Sequence, residues 1–372
     1  MNIKRHGAVL GVVALGALLL TACGSDNNAA AGGAPASHSN IACGGKKTLK
    51  ADGSTAQQTA MDVFSRAYGN DCPGYSVDYS GGGSGQGVKD FSGKLTDFGG
   101  SDSPLTKPAE LSAAKQRCDG NASWNLPMVF GPIAVTYNVK GVKDLALDGA
   151  TLAKVFSGAI SNWNDPAIKK LNPGKTLPNQ KIAVIYRSDE SGTTDNFQKY
   201  LTAAGGWAKG TGKTFRGGVG EGAKGNAGTS QALSTTDGGI TYNEWAYARQ
   251  HQLATAKIVN AGGGDPVPLT ADSAGKAVQA AEVRSQGGKD LTLNLASIYG
   301  TKAQGAYPII LATYEVVCSK YTDAATGKAV KAFLTAAAKD GQGPDLAKAG
   351  YVPLPGAFKS KLLASVSAIQ AG

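Results

Sequence analysis

The sequence predicts an α/β protein with two lobes, and three observations carry this prediction. The first folded segment alternates short strand-like and helix-like stretches, beginning with KTLKADGS and TAQQTAMDVFSRAY. Such alternation favours a parallel sheet covered by helices. A long β-rich run, WNLPMVFGPIAVTYNV, can then carry the chain from one lobe into another. Finally, 372 residues of which 42% are hydrophobic can bury more than one core.

The remaining elements follow from local pattern. YSVDYS, TDFGG, KIAVIY and AYPIILATYEVVC predict strands, and GQGVKDFSGKL, TDNFQKYLTAA and GKAVKAFLTAAAKD predict helices. We expect the last of these helices to end the core. This order predicts one α/β lobe interrupted by another, with two crossings. The first lobe spans residues 46–136 and 306–372, and the second spans residues 137–305.

The N-terminal segment predicts export and a lipid anchor. A basic MNIKRH and an apolar GAVLGVVALGALLL form a bacterial signal peptide over residues 1–22. The apolar run is too short for a comfortable membrane span. LTAC matches a lipobox in which Cys23 becomes the lipid-modified N-terminus, and the segment up to residue 45 has the composition of a flexible tether. We therefore expect the protein to be anchored in the cell membrane, on its extracytoplasmic face.

Export places the other four cysteines in an oxidising compartment, where pairing is expected. They are Cys43, Cys72, Cys118 and Cys318. Three pairings are open. Because Cys43 and Cys72 each precede a predicted parallel strand, Cys43–Cys72 with Cys118–Cys318 is favoured. No cysteine pair has zinc-ligand spacing, and His251 is the one histidine of the folded part, so we expect no metal and no cofactor.

The formal charge of +10 raises the question of nucleic-acid binding. Lysines occur singly or in twos, as in the pairs at 46–47 and 169–170, without the clustering and aromatic interleaving of a nucleic-acid surface. The distribution is typical of a solvated surface. We expect no nucleic-acid partner and a monomeric protein.

Three strand-to-helix turns predict an anion site. DGST, GGGSG and SDESGTT each place glycine with serine or threonine where a helix begins. Free backbone N–H groups and the helix dipole favour anions there, and ligands of open α/β sheets bind at the carboxyl ends of strands. Arg187 adds a planar cation that suits an oxyanion. The alternatives are ordinary N-caps at each turn and a surface ion pair of Arg187 with Asp189 or Glu190.

Asp102, in DFGGSD, can lie in the same cleft. A carboxylate there would repel an anion unless the ligand has a proton to donate. Hydrogen phosphate has such a proton at neutral pH and sulfate does not, so Asp102 would favour phosphate. Capping of the following SPL turn is the alternative role. Asp195, four residues after Ser191, can orient Arg187, cap the helix or lie at the surface.

Six stretches in one order resemble the phosphate-binding lipoprotein of a bacterial high-affinity phosphate ABC transporter, most closely its actinobacterial branch. They are ADGSTAQQ, DYSGGGSGQGVKDF, TDFGGSDSPL, VFSGAISNWNDPAI, RSDESGTTDNF and ITYNEWAYA. The resemblance implies a two-lobe type II periplasmic-binding-protein fold with the ligand in the interlobe cleft. It also implies high-affinity phosphate binding and delivery to membrane permease subunits. The ligand set it implies is Thr55, the backbone at Ala56, Ser84, Asp102, Arg187, Ser191, Gly192 and Thr193. A bulkier residue often stands where this chain has Ala56, so packing over the first turn is open.

Three other functions are alternatives. An exported phosphatase or esterase is disfavoured because GGGSG lacks the last glycine of a nucleophile elbow at Gln86, and only His251 could act as a base. The G-x-G-x-x-G match at Gly220–Gly225 follows no predicted strand and is interpreted as a surface loop. A binding protein for sulfate or molybdate remains open, with Asp102 as the discriminating residue. A surface adhesin without a small ligand is the third alternative.

Overall fold

The computed structural model describes residues 40–284 and 287–372. The signal peptide, Cys23 and most of the tether therefore lie outside the described residues. Within the described part no helix combines the length and apolar character needed to cross a bilayer. The strands are β1 (Thr48–Gly53), β2 (Ser76–Ser80), β3 (Phe98–Ser101), β4 (Ser123–Asn138), β5 (Ala146–Asp148), β6 (Ala183–Arg187), β7 (Glu221–Ala223), β8 (Gly239–Glu244), β9 (Ala254–Thr255), β10 (Lys257–Val259), β11 (Glu282–Val283), β12 (Leu293–Asn294), β13 (Ile310–Cys318), β14 (Lys320–Tyr321) and β15 (Gln370–Ala371).

Three of the helical stretches begin in the glycine- and serine-rich turns that the sequence marks. The helices are α1 (Gln58–Asp71), α2 (Ser84–Ser92), α3 (Pro108–Arg117), α4 (Gly149–Phe156), α5 (Pro166–Leu171), α6 (Gly192–Gly205), α7 (Gly225–Thr235), α8 (Trp245–Gln250), α9 (Ala271–Val278), α10 (Ala296–Tyr299), α11 (Ala324–Lys339), α12 (Pro344–Lys348) and α13 (Gly356–Ser367). A 3-10 turn over Thr55–Gln57 leads into α1.

The main sheet has the order β2-β1-β3-β13-β4-β8-β6-β7. The pairs β1–β2, β1–β3, β6–β8 and β6–β7 are parallel, as the strand–helix alternation predicts. Strands β4 and β13 are antiparallel to their neighbours in the middle of the sheet. The parallel arrangement is therefore confirmed for the two flanks but not for the centre.

Strand β4 belongs to both lobes. Its residues Ser123–Pro132 pair with β13, and Ile133–Asn138 pair with β8. The change of partner falls a few residues before the predicted boundary at 136/137. The two-lobe α/β architecture thus uses one continuous strand as a crossing.

Each flank of the sheet has its own apolar packing. In the first lobe Phe333 of α11 stacks on Phe98 of β3, and Tyr68 of α1 meets Phe333 edge-on. In the second lobe Phe197 of α6 stacks on Tyr242 of β8. Burial of these large side chains removes the apolar surface that drives folding and fixes the helices against the strands that lead into the site.

Two expectations about the first lobe have clear outcomes. The pairings Cys43–Cys72 and Cys118–Cys318 are confirmed, with Cα–Cα distances of 5.6 and 5.4 Å. The expectation that α11 ends the core is wrong. Helix α13 packs on α11 and buries Leu362 and Val366, because α11 has apolar residues on more than one face.

Candidate functional site

The turns that follow the carboxyl ends of strands in the two lobes meet at the interface between the lobes. Ser84 begins α2 in the first lobe, and Gly192 begins α6 in the second. The Oγ atom of Ser84 accepts hydrogen bonds from the backbone N–H groups of Asp102 and Gly192, each at 3.1 Å. A Cβ atom on Gly192 would lie 2.5 Å from the Cβ of Asp102, so this close approach requires glycine. The structure therefore brings Ser84, Asp102 and Gly192 together as the sequence predicts.

Further contacts hold the lobes against each other. The side-chain amide of Asn196 donates to the backbone carbonyl of Asp102 at 2.8 Å. The N–H of Gly85 donates to the carbonyl of Glu190 at 2.8 Å, and Lys89 pairs with the carboxylate of Glu190 at 2.7 Å. These bonds require adjacent lobes, so the structure is a closed form.

Asp102 is buried at the closed interface with 1% of its surface exposed. Its Oδ2 atom accepts from Ser54 Oγ at 2.6 Å and Ser84 Oγ at 3.4 Å, and its Oδ1 atom accepts from Thr313 Oγ1 at 2.7 Å. Burial raises the pKa of this carboxyl, while the hydroxyl donors and the Arg187 charge act in the opposite direction. The carboxylate contacts hydroxyl groups, not the SPL backbone, so the turn-capping alternative is wrong.

Arg187 ends β6 and is also buried. Its Nε and Nη2 atoms donate to the two oxygens of Asp189 at 2.7 and 2.5 Å, a forked pair. Burial acts to raise the pKa of Asp189, but this bond, the Arg187 charge and the Gly225 N–H together hold it below its ordinary value. Arg187 Nη1 is buried without a partner among the described residues. The ion pair with Asp189 therefore exists but is not a surface pair, and one donor remains for a ligand.

Asp195 does not orient Arg187. Its Oδ2 atom accepts from Ser103 Oγ and from Lys199 Nζ, both at 2.6 Å. The carboxylate thus links α6 to the first lobe through Ser103 and holds Lys199 one helical turn further on.

The start of α6 combines a cap with free donors. Ser191 is an N-cap whose Oγ accepts from the N–H of Thr194 at 3.2 Å, so the capping alternative holds for this residue. Thr193 Oγ1 is fully buried and has no partner within the described part of the chain. A buried hydroxyl without a partner is costly, so its position favours a polar ligand at this turn.

In the turn between β1 and α1, the backbone N–H that was expected to bind the ligand is bonded to the protein itself. Ser54 Oγ accepts from the N–H of Ala56 at 3.0 Å, so this predicted contact already has a protein partner. Ala56 is buried, and Tyr351 Oη donates to its carbonyl at 2.7 Å, which supplies the packing over this turn. Thr55 is buried beside it and faces the second lobe.

The segment Gly220–Gly225 lies at the surface, as expected, but it contains a strand and is not a loop. Strand β7 pairs with β6, and α7 begins immediately after it. The N–H of Gly225 donates to Asp189 Oδ1 at 3.0 Å, and Asn226 contacts Thr55. Sequence reasoning missed this fourth strand-to-helix turn because β7 has only three residues and no β-branched side chain.

Two further buried carboxyl groups surround the site. Glu244 ends β8 and caps α8 through Oε2, and Glu315 lies on β13 with Oε2 at 3.5 Å from Gln57 Nε2. Burial raises the pKa of Glu244 well above its ordinary value and that of Glu315 to about 8, and the charge of Asp102 adds to both shifts. Both carboxyl groups therefore keep their proton to a higher pH than an exposed glutamate does.

Taken together, the buried interface presents donors from both lobes, the Arg187 cation and the Asp102 carboxylate as acceptor. This set suits a small tetrahedral oxyanion that still has one proton. Among the described residues no group of three or more histidine, cysteine, aspartate or glutamate side chains could hold a metal ion.

Comparisons with known proteins give one answer. A model of the PBP superfamily domain matches residues 29–338. The phosphate-binding protein PstS 3 of Mycobacterium tuberculosis is 54% identical over 99% of this chain and all of its own length. PstS 2 of the same species is 52% identical with the same coverage, and PstS of Methanocaldococcus jannaschii is 33% identical over 82% of both chains.

Solved structures agree at the level of the fold. A high-affinity periplasmic phosphate-binding protein, PfluDING, bound with phosphate, has a TM-score of 0.70 at 24% identity, covering 88% of this chain and 96% of that one. A phosphate ABC transporter substrate-binding protein from Clostridium perfringens has a TM-score of 0.57 at 18% identity, covering 83% and 100%.

Proposed function

The chain belongs to the PstS family of phosphate-binding proteins within the PBP superfamily, and on this premise we propose that it binds inorganic phosphate outside the cytoplasm for import by an ABC transporter. The family consists of substrate-binding proteins and not of enzymes. Catalysis is therefore no part of the proposal.

The observation that carries the proposal is the buried carboxylate of Asp102, which lies within the field of Arg187 at an interface where two buried donors have no partner among the described residues. Thr193 Oγ1 and Arg187 Nη1 can donate to ligand oxygens, whereas Asp102 can only accept while ionised. A hydrogen phosphate dianion satisfies both kinds of group. Sulfate has no proton to donate to the remaining lone pair of the Asp102 carboxylate and would place a like charge beside it, at a cost of about 1–3 kcal/mol or more.

The proposed ligand set is the one that the resemblance implies. Thr55, Ala56, Ser84 and Asp102 come from the first lobe. The second lobe contributes Arg187, Ser191, Gly192 and Thr193. At Ala56 the backbone N–H would have to be shared with Ser54 Oγ. Because contacts come from both lobes, phosphate binds the closed form more tightly and shifts the population toward it.

The closed form would then dock on permease subunits in the membrane. The lipobox at Cys23 supports attachment to the extracytoplasmic face of the cell membrane through lipid, with the segment up to residue 45 as a tether. We propose a monomer, with the lobe boundaries at 136/137 and 305/306.

Calorimetric titration tests the function. The chain from Gly24 onward, stripped of ligand, is titrated with phosphate and then with sulfate near neutral pH. Tight one-to-one binding of phosphate without a sulfate response is expected. Asp102→Asn, which replaces an acceptor by a group that also donates, should raise the affinity for sulfate relative to phosphate.

Two results would contradict the proposal. Sulfate binding as tight as phosphate would favour the second candidate, a general oxyanion carrier, which the helix-end donors alone would also support. No response to either anion in a folded protein would remove the ligand-binding function.

A further inference from the structure

Thr55 and Asn226 meet across the interface between the lobes. Thr55 Oγ1 accepts hydrogen bonds from the side-chain Nδ2 of Asn226 at 2.9 Å and from its backbone N–H at 3.3 Å. Asn226 is fully buried, and Thr55 is 6% exposed. The contact joins the first turn of the first lobe to the start of α7.

The orientation of the Asn226 amide is fixed by a third contact. Its Oδ1 atom accepts from the backbone N–H of Glu244 at 2.9 Å. A flipped amide would place its NH₂ group against the N–H of Glu244, so that bond would be lost and two donors would face each other in a buried position. The donor end of the amide must therefore face Thr55.

Two donors on one hydroxyl oxygen determine where its proton goes. A threonine hydroxyl has two acceptor lone pairs and one O–H. Asn226 occupies both lone pairs of Thr55, and no protein acceptor takes the O–H among the described residues. The O–H group of Thr55 is therefore left as a hydrogen-bond donor, and an anion requires donors.

We infer that Asn226 is a positioning residue that makes the Thr55 hydroxyl a donor to the bound anion when the lobes close. The inference rests on the proposed function and deepens it. In an open form Thr55 would be free to accept from water. Closure would therefore complete the selectivity of the site for an oxygen that has no proton of its own.

A double-mutant cycle on phosphate affinity tests the inference. Asn226→Ala, Thr55→Val and the double variant are compared with the wild type by calorimetry, using inorganic phosphate and the chain from Gly24 onward. Loss of a donor to a charged oxygen corresponds to a dissociation constant about 10- to 100-fold higher for each single variant. The double variant should bind within about twofold of Thr55→Val, because Asn226 acts through that hydroxyl.

Matched variants separate this role from a general loosening of α7. Ser230→Ala lies on the same helix, where its hydroxyl accepts from Asn243 and does not contact Thr55. It should leave phosphate affinity unchanged. Asn226→Ser, which shortens the side chain but keeps a polar group, replaces Asn226→Ala in the cycle if the alanine variant does not fold.

The outcomes are distinct. Additive losses, with Asn226→Ala weakening binding equally in both backgrounds, would overturn the inference. Wild-type affinity of Thr55→Val would also overturn it while leaving phosphate binding intact. Failure of the wild type to bind phosphate would instead overturn the proposed function, and with it the inference.

Discussion

Replacing Glu315 by glutamine should flatten the dependence of the free energy of unfolding on pH. This carboxyl on β13 is fully buried next to the Gln57 amide and within the field of Asp102. The folded-state pKa is about 8, against an ordinary value of 4.5. Between these two values the folded chain keeps a proton that the unfolded chain releases.

The sign and size of the effect follow from proton linkage. Since the folded state binds more protons across this window, stability falls as pH rises from 4.5 to about 8 and is unaffected by this group outside it. Each pKa unit corresponds to 1.36 kcal/mol, so the wild type should lose about 5 kcal/mol from this group, taken as an upper limit. Glutamine has the same shape and no titration, so the Glu315→Gln variant should not show this loss.

Urea unfolding at several pH values between about 5 and about 8 measures the effect, with disulfides intact and phosphate absent. The two proteins should have similar stability near pH 5 and diverge as pH rises, the variant being more stable. Glu282→Gln, which removes an exposed carboxyl, is the control and should run parallel to the wild type. Parallel curves for Glu315→Gln would refute the assignment of a neutral Glu315.

Three other changes test the packing and the site. Gly87→Ala should destabilise the folded protein by about 1–3 kcal/mol or more, because the added Cβ would lie 2.5 Å from the backbone of Gly53. Gly275→Ala, whose Cβ would have nothing within 4 Å, should leave stability unchanged or raise it, and thermal unfolding distinguishes the two variants. Replacing both cysteines of Cys118–Cys318 by alanine should lower the free energy of unfolding in urea by about 5 kcal/mol, and the same change at Cys43–Cys72 should lower it by about 4 kcal/mol, because the bonds span 200 and 29 residues. The reverse order would contradict the loop-entropy argument. Arg187→Lys keeps the charge but loses the forked pair with Asp189, so phosphate should bind about 10- to 100-fold more weakly in calorimetry. Unchanged affinity would mean that a point charge at this position is sufficient for phosphate binding.

Local pattern is enough to predict where most residues of the candidate site lie. Thr55, Ser84 and Gly192 each begin a helical stretch within a few residues of the end of a strand, and the short-range rules of turns and caps identify them. Arg187 and Asp102 were found because they end strands that point to the same edge. The strands β1, β2 and β6 were likewise predicted within a few residues, because their residues alternate or are β-branched.

Contacts between distant segments were not predictable. Thr313 donates to Asp102 across 211 residues, and Asn226 meets Thr55 across 171. Neither residue stands in a pattern that marks it, since Thr313 lies within a fully buried strand and Asn226 follows a three-residue one. The burial of Glu315 also depends on strand order, which places β13 between β3 and β4.

The continuity of β4 through both lobes sets the mechanics of opening. A strand resists stretching and sliding because its ladder of hydrogen bonds fixes the register, but it twists readily. The Cys118–Cys318 bond ties the chain just before β4 to the last residue of β13, which pairs with Ser123. Rotation of the lobes is therefore confined to the far end, around Pro132 and Ile310. We therefore expect opening to twist β4 at that end, while the disulfide keeps its other end fixed to β13.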